Sequence, residues 1–374
     1  MRVLVCPNSM KGTLSAIEFA NAVEQGLKLS GIANVEKIPV ADGGDGTAEI
    51  LAHSLKANFV SCVAKDPLGR EIESGFYLAQ NQTAIIEMAS ASGLRLLLPN
   101  EYSAFKTSSF GTGQLIKQAI EAGSKKILLG VGGSATVDGG MGALMALGVE
   151  FYGRDGRISE GNALTMGGVT SIETTKAVKL LDDVQITILT DVINQLLGKN
   201  GAVPVFAPQK GASMDEISRL ERNLSLFAGA IFQTTGIDIS QVKSGGAAGG
   251  IAASFYALLN AEIVDGASFI LNETGFYNKA QSCDAIITGE GGFDDTSFLG
   301  KVTGEIIRFG TGIDIPVFVI CGKQGFCRKI QNLQVIELQS EFVEQSQAMA
   351  NAFSLVLEKS IVLGKEMIQD EQRN

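Results

Sequence analysis

Residues 127–147 read ILLGVGGSATVDGGMGALMAL, and this stretch shows most directly how the chain folds. The apolar run 127–129 has the composition of a buried strand, and 141–147 has the apolar spacing of a helix. The glycine-rich segment 130–140 is therefore a turn that leads from a strand into a helix. Backbone N–H groups at such a turn, together with the helix dipole, form a site for phosphate or another anion. We predict an α/β protein that handles phosphate.

Strands and helices alternate on both sides of this stretch. Strands are predicted at 3–6, 35–41, 59–64, 83–87, 126–129, 149–152, 185–189, 285–288, 316–321 and 335–338. Helices are predicted at 47–55, 113–122, 213–234, 304–309 and 346–367, and another begins at the capping box of Ser15 and Glu18. Such alternation indicates right-handed βαβ units and parallel sheets. Because neither chain end supplies enough strands alone, we predict that 1–66 and 281–374 share one domain, and that 67–280 form an inserted α/β domain.

Composition and charge narrow the class of protein. The chain has 374 residues, of which 45% are hydrophobic, as expected for two domains with buried parallel strands. It has no run of about 18 apolar residues and no secretory signal, so we expect no membrane span and a cytoplasmic location. The net charge of −10 argues against nucleic acid and anionic membranes as partners. Small-molecule substrates are the expected partners, and a homo-oligomer is left open.

The single histidine and the cysteines exclude several kinds of catalytic site. His53 lies inside the predicted helix 47–55, which argues against a Ser-His-Asp triad and a histidine-based zinc site. The five cysteines are odd in number and show no C-x-x-C pair, so buried free thiols are expected.

Short clusters that mix glycine with acids, amides or lysine follow most of the predicted strands. They are NSMKG (8–12), DGGDG (42–46), the 130–140 turn, DVIN (191–194), GGAAGG (245–250) and TGEGGFD (288–294), with Gly300-Lys301 shortly after. Because ligands bind beyond the carboxyl ends of parallel strands, we expect these loops to share one crevice. Lys11 suits a phosphate oxygen. Asp42 and Asp45 suit Mg²⁺ or a substrate hydroxyl, and Asp191 and Asn194 suit a metal or a substrate.

Each cluster alone also has a plain structural interpretation. The lysine and the acids fit solvated loops, Asx turns or helix caps as well as ligand contacts. The glycines of 245–250 either admit a phosphate to backbone amides or only allow close packing. Gly300-Lys301 is not a P-loop, because Val302 stands where Ser or Thr is required.

The turn also fits a dinucleotide fingerprint. Gly130, Gly132 and Ala135 match G-x-G-x-x-G/A, and Glu150 would be the ribose-binding acid. Glu150 falls near the start of its predicted strand, whereas that acid belongs at a strand's end. An NAD-dependent oxidoreductase is therefore the weaker alternative.

Eight clusters, taken in order, resemble the bacterial glycerate kinase family, the type that phosphorylates glycerate at O2. The family pattern reads D-S-F-K-G, A-D-G-G-E-G-T, D-P-L-G-R, G-G-S-A-T-x-D-G-G, D-V-x-N-P-L, P-Q-K-G-A, G-A-A-G-G and T-G-E-G-x-x-D. The matching segments are 8–12, 41–47, 66–70, 132–140, 191–196, 208–212, 246–250 and 288–294. The resemblance implies a flavodoxin-like domain from both chain ends and an inserted α/β domain. It also implies ATP, Mg²⁺ and a small hydroxy acid, either glycerate, with 2-phosphoglycerate as the expected product, or a close relative of glycerate.

The resemblance assigns roles to the clusters. The predicted catalytic residues are Lys11, Asp42 and Asp191, and Asp42 and Asp191 also bind the metal. The predicted substrate-binding residues are Ser9, Asp45, Arg70, Asn194, Glu290 and Asp294. The predicted nucleotide- and phosphate-binding residues are Gly132, Gly133, Ser134, Gly249, Gly250 and Lys301.

The chain departs from the family pattern at several positions. Asn8 replaces Asp, Met10 replaces Phe, Asp45 replaces Glu, Gln195 replaces Pro and Thr296 replaces Gln. The lost acid at position 8 is the most serious, because a carboxylate there would suit a base or a metal ligand. These departures support an alternative, a catalytically altered homologue that binds a small acid or nucleotide without efficient turnover.

Overall fold

The computed structural model describes residues 1–44, 46–326, 329–338 and 349–373. Within these ranges the strands are β1 (Arg2–Pro7), β2 (Asn34–Lys37), β3 (Asn58–Lys65), β4 (Glu71–Leu78), β5 (Thr83–Glu87), β6 (Lys126–Gly130), β7 (Glu150–Gly153), β8 (Gly156–Arg157), β9 (Ser171–Glu173), β10 (Gln185–Thr190), β11 (Glu262–Asp265), β12 (Ala285–Phe293), β13 (Val317–Gln324) and β14 (Leu333–Glu337). The helices are α1 (Ala16–Ser30), α2 (Thr47–Leu55), α3 (Ala89–Ser92), α4 (Phe110–Glu121), α5 (Met141–Ala146), α6 (Thr175–Leu180), α7 (Ala202–Phe206), α8 (Met214–Thr235), α9 (Ile251–Leu259), α10 (Gly266–Glu273), α11 (Phe276–Ala280), α12 (Val302–Gly312) and α13 (Ala352–Arg373).

The chain divides into two compact units. Unit 1 comprises Met1–Asp42, Glu49–Ser54 and Gly266–Asn374, and unit 2 comprises Gly43–Ala48 and Leu55–Asp265. These limits differ from the predicted domain limits, since β3 and the loop before α2 belong to unit 2. None of the described helices is long and apolar enough to cross a membrane.

Unit 1 contains a five-stranded parallel sheet built from both ends of the chain. Its strand order is β14-β13-β12-β1-β2, which is 2-1-3-4-5 when the strands of the unit are counted in chain order. This is the flavodoxin-like order, whose switch point lies between β1 and β12. Val3 of β1 is in register with Ala285 of β12, and Pro7 with Gly289. The predicted α/β class with a parallel sheet is confirmed.

Helices α1 and α13 pack together in unit 1. Helix α1 begins at the predicted capping box: the Ser15 hydroxyl accepts the Glu18 N–H, and the Glu18 carboxylate accepts the Ser15 N–H. Phe19 of α1 is fully buried and belongs to the same apolar core as Val356 of α13. At Gly26 the helices approach so closely that an added Cβ would lie 2.6 Å from the Ser360 Cβ. Glycine is therefore required there by space.

Unit 2 contains a six-stranded mixed sheet of order β11-β10-β6-β5-β4-β3. Strands β5, β6, β10 and β11 are parallel neighbours, whereas β3, β4 and β5 are antiparallel. A separate sheet of order β8-β7-β9 is antiparallel.

The prediction that strand 59–64 belongs to the first sheet is wrong. Strand β3 pairs with β4, from Asn58 opposite Leu78 to Lys65 opposite Glu71. The segment between them, predicted to be a domain boundary, is a hairpin turn in which Asp66 N–H donates to the Arg70 carbonyl. Strand β4 was not predicted. A tight antiparallel hairpin therefore replaces the expected parallel crossover.

Candidate functional site

The first group of predicted residues lies at the carboxyl ends of β1 and β12 in unit 1. The Asn8 N–H donates to the Gly289 carbonyl at 2.9 Å, which continues the pairing of the two strands. Strand β12 runs on to Phe293, so Glu290 lies on the strand in register with Cys321. The sequence predicted a loop at 288–294, and the structure corrects this. A parallel sheet places ligands at this switch point, so the position suits a binding site.

Asp42 is held from two sides in this group. Its Oδ2 accepts the Asn8 side-chain amide at 2.8 Å, and its Oδ1 accepts the Val302 N–H at 2.7 Å, at the start of α12. Burial raises the pKa of Asp42, while these two hydrogen bonds and the charges of Lys301 and Lys11 act in the opposite direction. The carboxylate is therefore fixed in one orientation beside two cations.

Glu290 is the second buried acid of the group, with 6% of its surface exposed. Its Oε2 accepts the Lys301 ammonium at 3.2 Å, whereas Oε1 is buried and has no hydrogen-bond partner among the described residues. Burial raises the pKa of Glu290, and the charge of Asp42 acts in the same direction, whereas the nearby Ser297 hydroxyl and Lys301 lower it. A buried carboxylate oxygen without a partner is costly, unless a ligand supplies the hydrogen bond.

The other predicted residues of unit 1 have different surroundings. Lys11 is exposed, and the Ser9 N–H donates to Asn8 Oδ1 at 2.7 Å. Asp294 caps the short 3₁₀ helix that follows β12, since its Oδ1 accepts the Thr296 N–H at 2.8 Å. Hydrogen bonds from Thr296 lower the pKa of Asp294. A capping role thus accounts for Asp294, and Asp45 lies outside the described residues.

The second group lies in unit 2, at the turn after β6. Gly133 has a φ of +66° and is exposed, so its position requires a residue without a Cβ. The Gly133 carbonyl accepts the Leu94 N–H at 3.0 Å, and this hydrogen bond attaches the turn to the segment around Leu94. Gly132 is half-buried and Ser134 is buried. The turn therefore presents glycine backbone at the surface, as phosphate binding requires.

Two charged residues that we did not predict as site residues support this turn. Asp138 is fully buried, and its carboxylate accepts the Ser109 N–H at 2.8 Å, the Ser109 hydroxyl at 2.7 Å, the Gly140 N–H at 3.1 Å and the Gly142 N–H at 3.2 Å. Lys210, from the 208–212 segment, is also buried, and its ammonium donates to Ser134 Oγ at 2.8 Å. Burial raises the pKa of Asp138. The only sequence signal was that both lie in segments of the family pattern.

Gly249 and Gly250 are buried against the backbone of the same turn. Gly249 has a φ of +71°, and an added Cβ would overlap the Thr136 carbonyl oxygen. The Gly249 carbonyl accepts the Gly139 N–H at 3.0 Å. Of the two interpretations left open, the structure favours close packing over direct phosphate contact.

Asp191 and Asn194 follow β10 as predicted. Asp191 is exposed, and its Oδ2 would lie 3.9 Å from a Cβ added to Gly44, so the loop before α2 passes beside it. Asn194 makes a local contact: its side-chain amide donates to the Asn200 carbonyl at 2.7 Å.

The loop before α2 is held by Glu87, a further residue that we did not predict. The carboxylate of Glu87 accepts the Gly46 N–H at 2.8 Å and the Ala48 N–H at 3.2 Å.

Arg70 does not present a free guanidinium to a substrate. It forms ion pairs with Asp66 and, at 2.6 Å, with Glu101. Both hydrogen bonds raise the pKa of Arg70, with that from Glu101 having the larger effect. These ion pairs give Arg70 a structural role at the β3–β4 hairpin, and its contact with a substrate carboxylate stays a prediction.

The dinucleotide alternative fails on the placement of Glu150. This residue starts β7, which belongs to the small antiparallel sheet and not to the parallel one. Its carboxylate pairs with Lys176 at 2.7 Å and with Arg157 at 3.1 Å. An acid in this position does not end a strand beside the glycine turn.

The described residues contain no group of three or more His, Cys, Asp or Glu side chains that would hold a metal ion on its own. Mg²⁺ commonly uses one or two carboxylates together with substrate phosphates and water. The exposed carboxylate of Asp191 suits that mode. Both oxygens of Asp42 accept hydrogen bonds within the protein.

A flavodoxin-like sheet with two acids beside two lysines at its switch point defines an α/β protein with a site suited to small polar ligands. The sequence model of the glycerate kinase family matches residues 3–363. The chain belongs to the glycerate kinase family, which confirms the predicted resemblance.

The similarity of the chain to named relatives supports its membership of this family. The chain is 35% identical over 324 residues to a glycerate kinase of Bacillus subtilis (strain 168), covering 86% of this chain and 85% of the relative. It is 36% identical over 329 residues to the glycerate 2-kinase of Escherichia coli (strain K12), with the same coverage. A crystal structure from Salmonella typhimurium LT2, described as a glycerate kinase 2, superposes with a TM-score of 0.87 at 32% identity, covering 100% of this chain and 99% of that one.

Proposed function

We propose that this protein transfers the γ-phosphoryl group of ATP to glycerate, with 2-phosphoglycerate as the product. The observation that carries the proposal is the group of Asp42, Glu290, Lys11 and Lys301 beyond the switch point of the unit 1 sheet. Phosphoryl transfer needs mainly positioning and charge neutralisation, and this group offers fixed carboxylates beside cations.

In unit 1 the two acids have different capacities. Asp42 is fixed through both oxygens, whereas Glu290 keeps one buried oxygen without a described partner. We therefore propose that Glu290 Oε1 accepts the glycerate hydroxyl and that Asp42 orients the group around it. A carboxylate is a natural base in this chain, whose single histidine lies in α2. The exposed Lys11 would neutralise the transferred phosphoryl group.

In unit 2 the turn at Gly132, Gly133 and Ser134 would cradle the phosphates of ATP through backbone N–H groups and a hydroxyl. Asp191 would bind Mg²⁺ together with those phosphates. The ion, when bound, neutralises phosphate charge.

The alternative, a homologue that binds without efficient turnover, rests on Asn8. The amide at this position donates to Asp42, where the family pattern has a second acid. If that acid is needed for turnover, the present chain binds its ligands but transfers phosphate slowly.

A coupled assay of ADP release with D-glycerate, ATP and Mg²⁺ separates the two functions. We expect ADP release that depends on glycerate, and phosphorus NMR should identify 2-phosphoglycerate as the product. Binding of ATP and glycerate by calorimetry without ADP release would instead establish the altered homologue.

A further inference from the structure

Lys210 is a buried lysine that the proposed chemistry does not use. It ends a short 3₁₀ turn after α7, and only 2% of its surface is exposed. Its ammonium donates to Ser134 Oγ at 2.8 Å and to the Thr136 carbonyl at 2.8 Å. Both acceptors belong to the glycine-rich turn after β6. A buried ammonium is costly, so its place beneath this turn requires a reason.

The contact determines what the Ser134 hydroxyl can do. Because Lys210 occupies one lone pair of Ser134 Oγ, the hydroxyl proton points elsewhere. Among the described residues no acceptor takes that proton at hydrogen-bond distance. The hydroxyl is thus left as a donor beside the exposed backbone of Gly133. A phosphate oxygen is the kind of acceptor that such a donor suits.

Stability alone does not account for this lysine. Burial lowers the pKa of Lys210 to about 7, and the negative charge of Asp138 acts in the opposite direction. Asp138 accepts its hydrogen bonds from Ser109, Gly140 and Gly142, and so does not depend on Lys210 for partners. An apolar side chain of similar length would avoid the cost of burying a charge.

We propose that Lys210 is a positioning residue of the phosphate-binding turn. Its ammonium holds Ser134 Oγ and the Thr136 carbonyl so that the Ser134 hydroxyl and the turn's N–H groups meet the phosphates of ATP. The buried positive charge also attracts the bound anion. This inference rests on the proposed binding of ATP at the turn.

The test compares Lys210→Met, Ser134→Ala and the double variant by calorimetry with ATP and Mg²⁺. Loss of a charge-assisted contact is expected to weaken ATP binding about tenfold or more in each single variant. Because Lys210 acts in part through Ser134, the loss of affinity in the double variant should be smaller than the product of the two single losses. Lys117→Met, which changes an exposed lysine of α4, is the matched control and should bind ATP normally.

A second readout separates positioning from support of the fold. Asp138 is the charged group that acts on Lys210, and it is fully buried. In the wild type, ATP binding should weaken as the pH rises through about 7, where Lys210 loses its proton. In Lys210→Met it should be weak and nearly independent of pH. The melting temperature of Lys210→Met at pH 7 should be no lower than that of the wild type, because the variant buries no charge.

The experiments distinguish a failure of the proposed function from a failure of this inference. Absence of ATP binding by the wild type would remove the proposed function, and this inference with it. Wild-type binding together with normal binding by Lys210→Met would overturn the inference alone, as would additive effects in the double variant. If Lys210→Met does not fold, Ser134→Ala decides: normal ATP binding by that variant overturns the inference, and weakened binding supports it.

Discussion

Asn8 replaces a family aspartate and has a clear structural role, because its side-chain amide donates to Asp42 Oδ2 at 2.8 Å. An aspartate at this position would set two carboxylates against each other, and such pairs share a proton. The amide instead stabilises the charged form of Asp42, which burial disfavours. The departure thus alters the proton equilibrium of the group without removing its geometry.

The pH dependence of turnover should reflect this group. Burial raises the pKa values of Asp42 and Glu290, so activity that needs their charged forms is present at higher pH and lost as the pH falls. In Asn8→Asp the added carboxylate should move the acid limb of the kcat/KM profile to higher pH. An unshifted acid limb in that variant would show that Asp42 does not titrate in the reaction.

Asp191 is the residue on which the metal proposal depends. Replacing it by alanine should reduce kcat by orders of magnitude, because phosphoryl transfer relies on charge neutralisation by a correctly placed ion. The matched control is Asp182→Ala, which removes an exposed acid before β10. Steady-state kinetics at several Mg²⁺ concentrations measures the effect. Near-normal turnover by Asp191→Ala would remove this residue from the mechanism.

The supporting residues that we did not predict from the sequence contact partners that lie far away along the chain. Glu87 ends a correctly predicted strand, but nothing local shows that it accepts N–H groups from Gly46 and Ala48. Lys210 is likewise separated from Ser134 by 76 positions. The acids and glycines after strands could be predicted, because a strand end and a glycine are local signals. The supporting contacts could not, because they arise from tertiary packing.

At the scale of elements, Gly26 and Gly229 offer a matched pair of helical glycines. An alanine at Gly26 would bring its Cβ within 2.6 Å of the Ser360 Cβ, whereas Gly229 in α8 has open space around it. Gly229→Ala should raise the free energy of unfolding by about 1 kcal/mol through helix propensity. Gly26→Ala should lower it by about 1–3 kcal/mol, because α1 and α13 must move apart. Denaturant unfolding measures both.

Opposite signs for the two variants are the essential result. If Gly26→Ala proved as stable as the wild type, the close packing of α1 against α13 would be wrong. If Gly229→Ala were destabilising, helix propensity would not be the deciding effect at that position.

The elements themselves were largely predictable, and their pairing was not. The strand 83–87 and the helix 47–55 have the predicted limits. The spacing of apolar residues and the capping residues that set such limits can be identified from the local sequence alone. Strand β4 was missed, since its sequence EIESGFYL has a glycine in the middle and acids at its start. That omission made a hairpin look like a domain boundary. The length of β12 was also missed, because glycines within 288–292 suggested a loop.

At the scale of the whole molecule, stability should depend on pH through Lys210. The pKa of this lysine is about 7 in the folded protein, compared with 10.5 for an ordinary lysine. Between these values the unfolded chain binds the additional proton, so the free energy of unfolding rises with pH by up to about 1.4 kcal/mol per pH unit. The melting temperature of the wild type should therefore increase relative to that of Lys210→Met from pH 7 to 9. A constant difference would show that Lys210 is not buried as a titrating group.

The sharing of one sheet by both chain ends could be inferred only from the number of strands. Local patterns predicted three strands near the start and up to three near the end, too few for two separate sheets. The register of β1 with β12 joins residues such as Val3 and Ala285, and no spacing rule reaches across that distance. Fold class was therefore predictable, while the exact division of the chain required the structure.

This arrangement fixes an order of events during translation. The strands β1 and β2 leave the ribosome first, but β12, which pairs with β1, is synthesised only after all of unit 2. At ordinary elongation speeds the interval is on the order of ten seconds to a minute. Throughout it the nascent chain carries an apolar strand with an open edge, which is a hazard for misassociation. A chaperone that shields the first forty residues would therefore benefit this protein more than one that acts on the completed polypeptide.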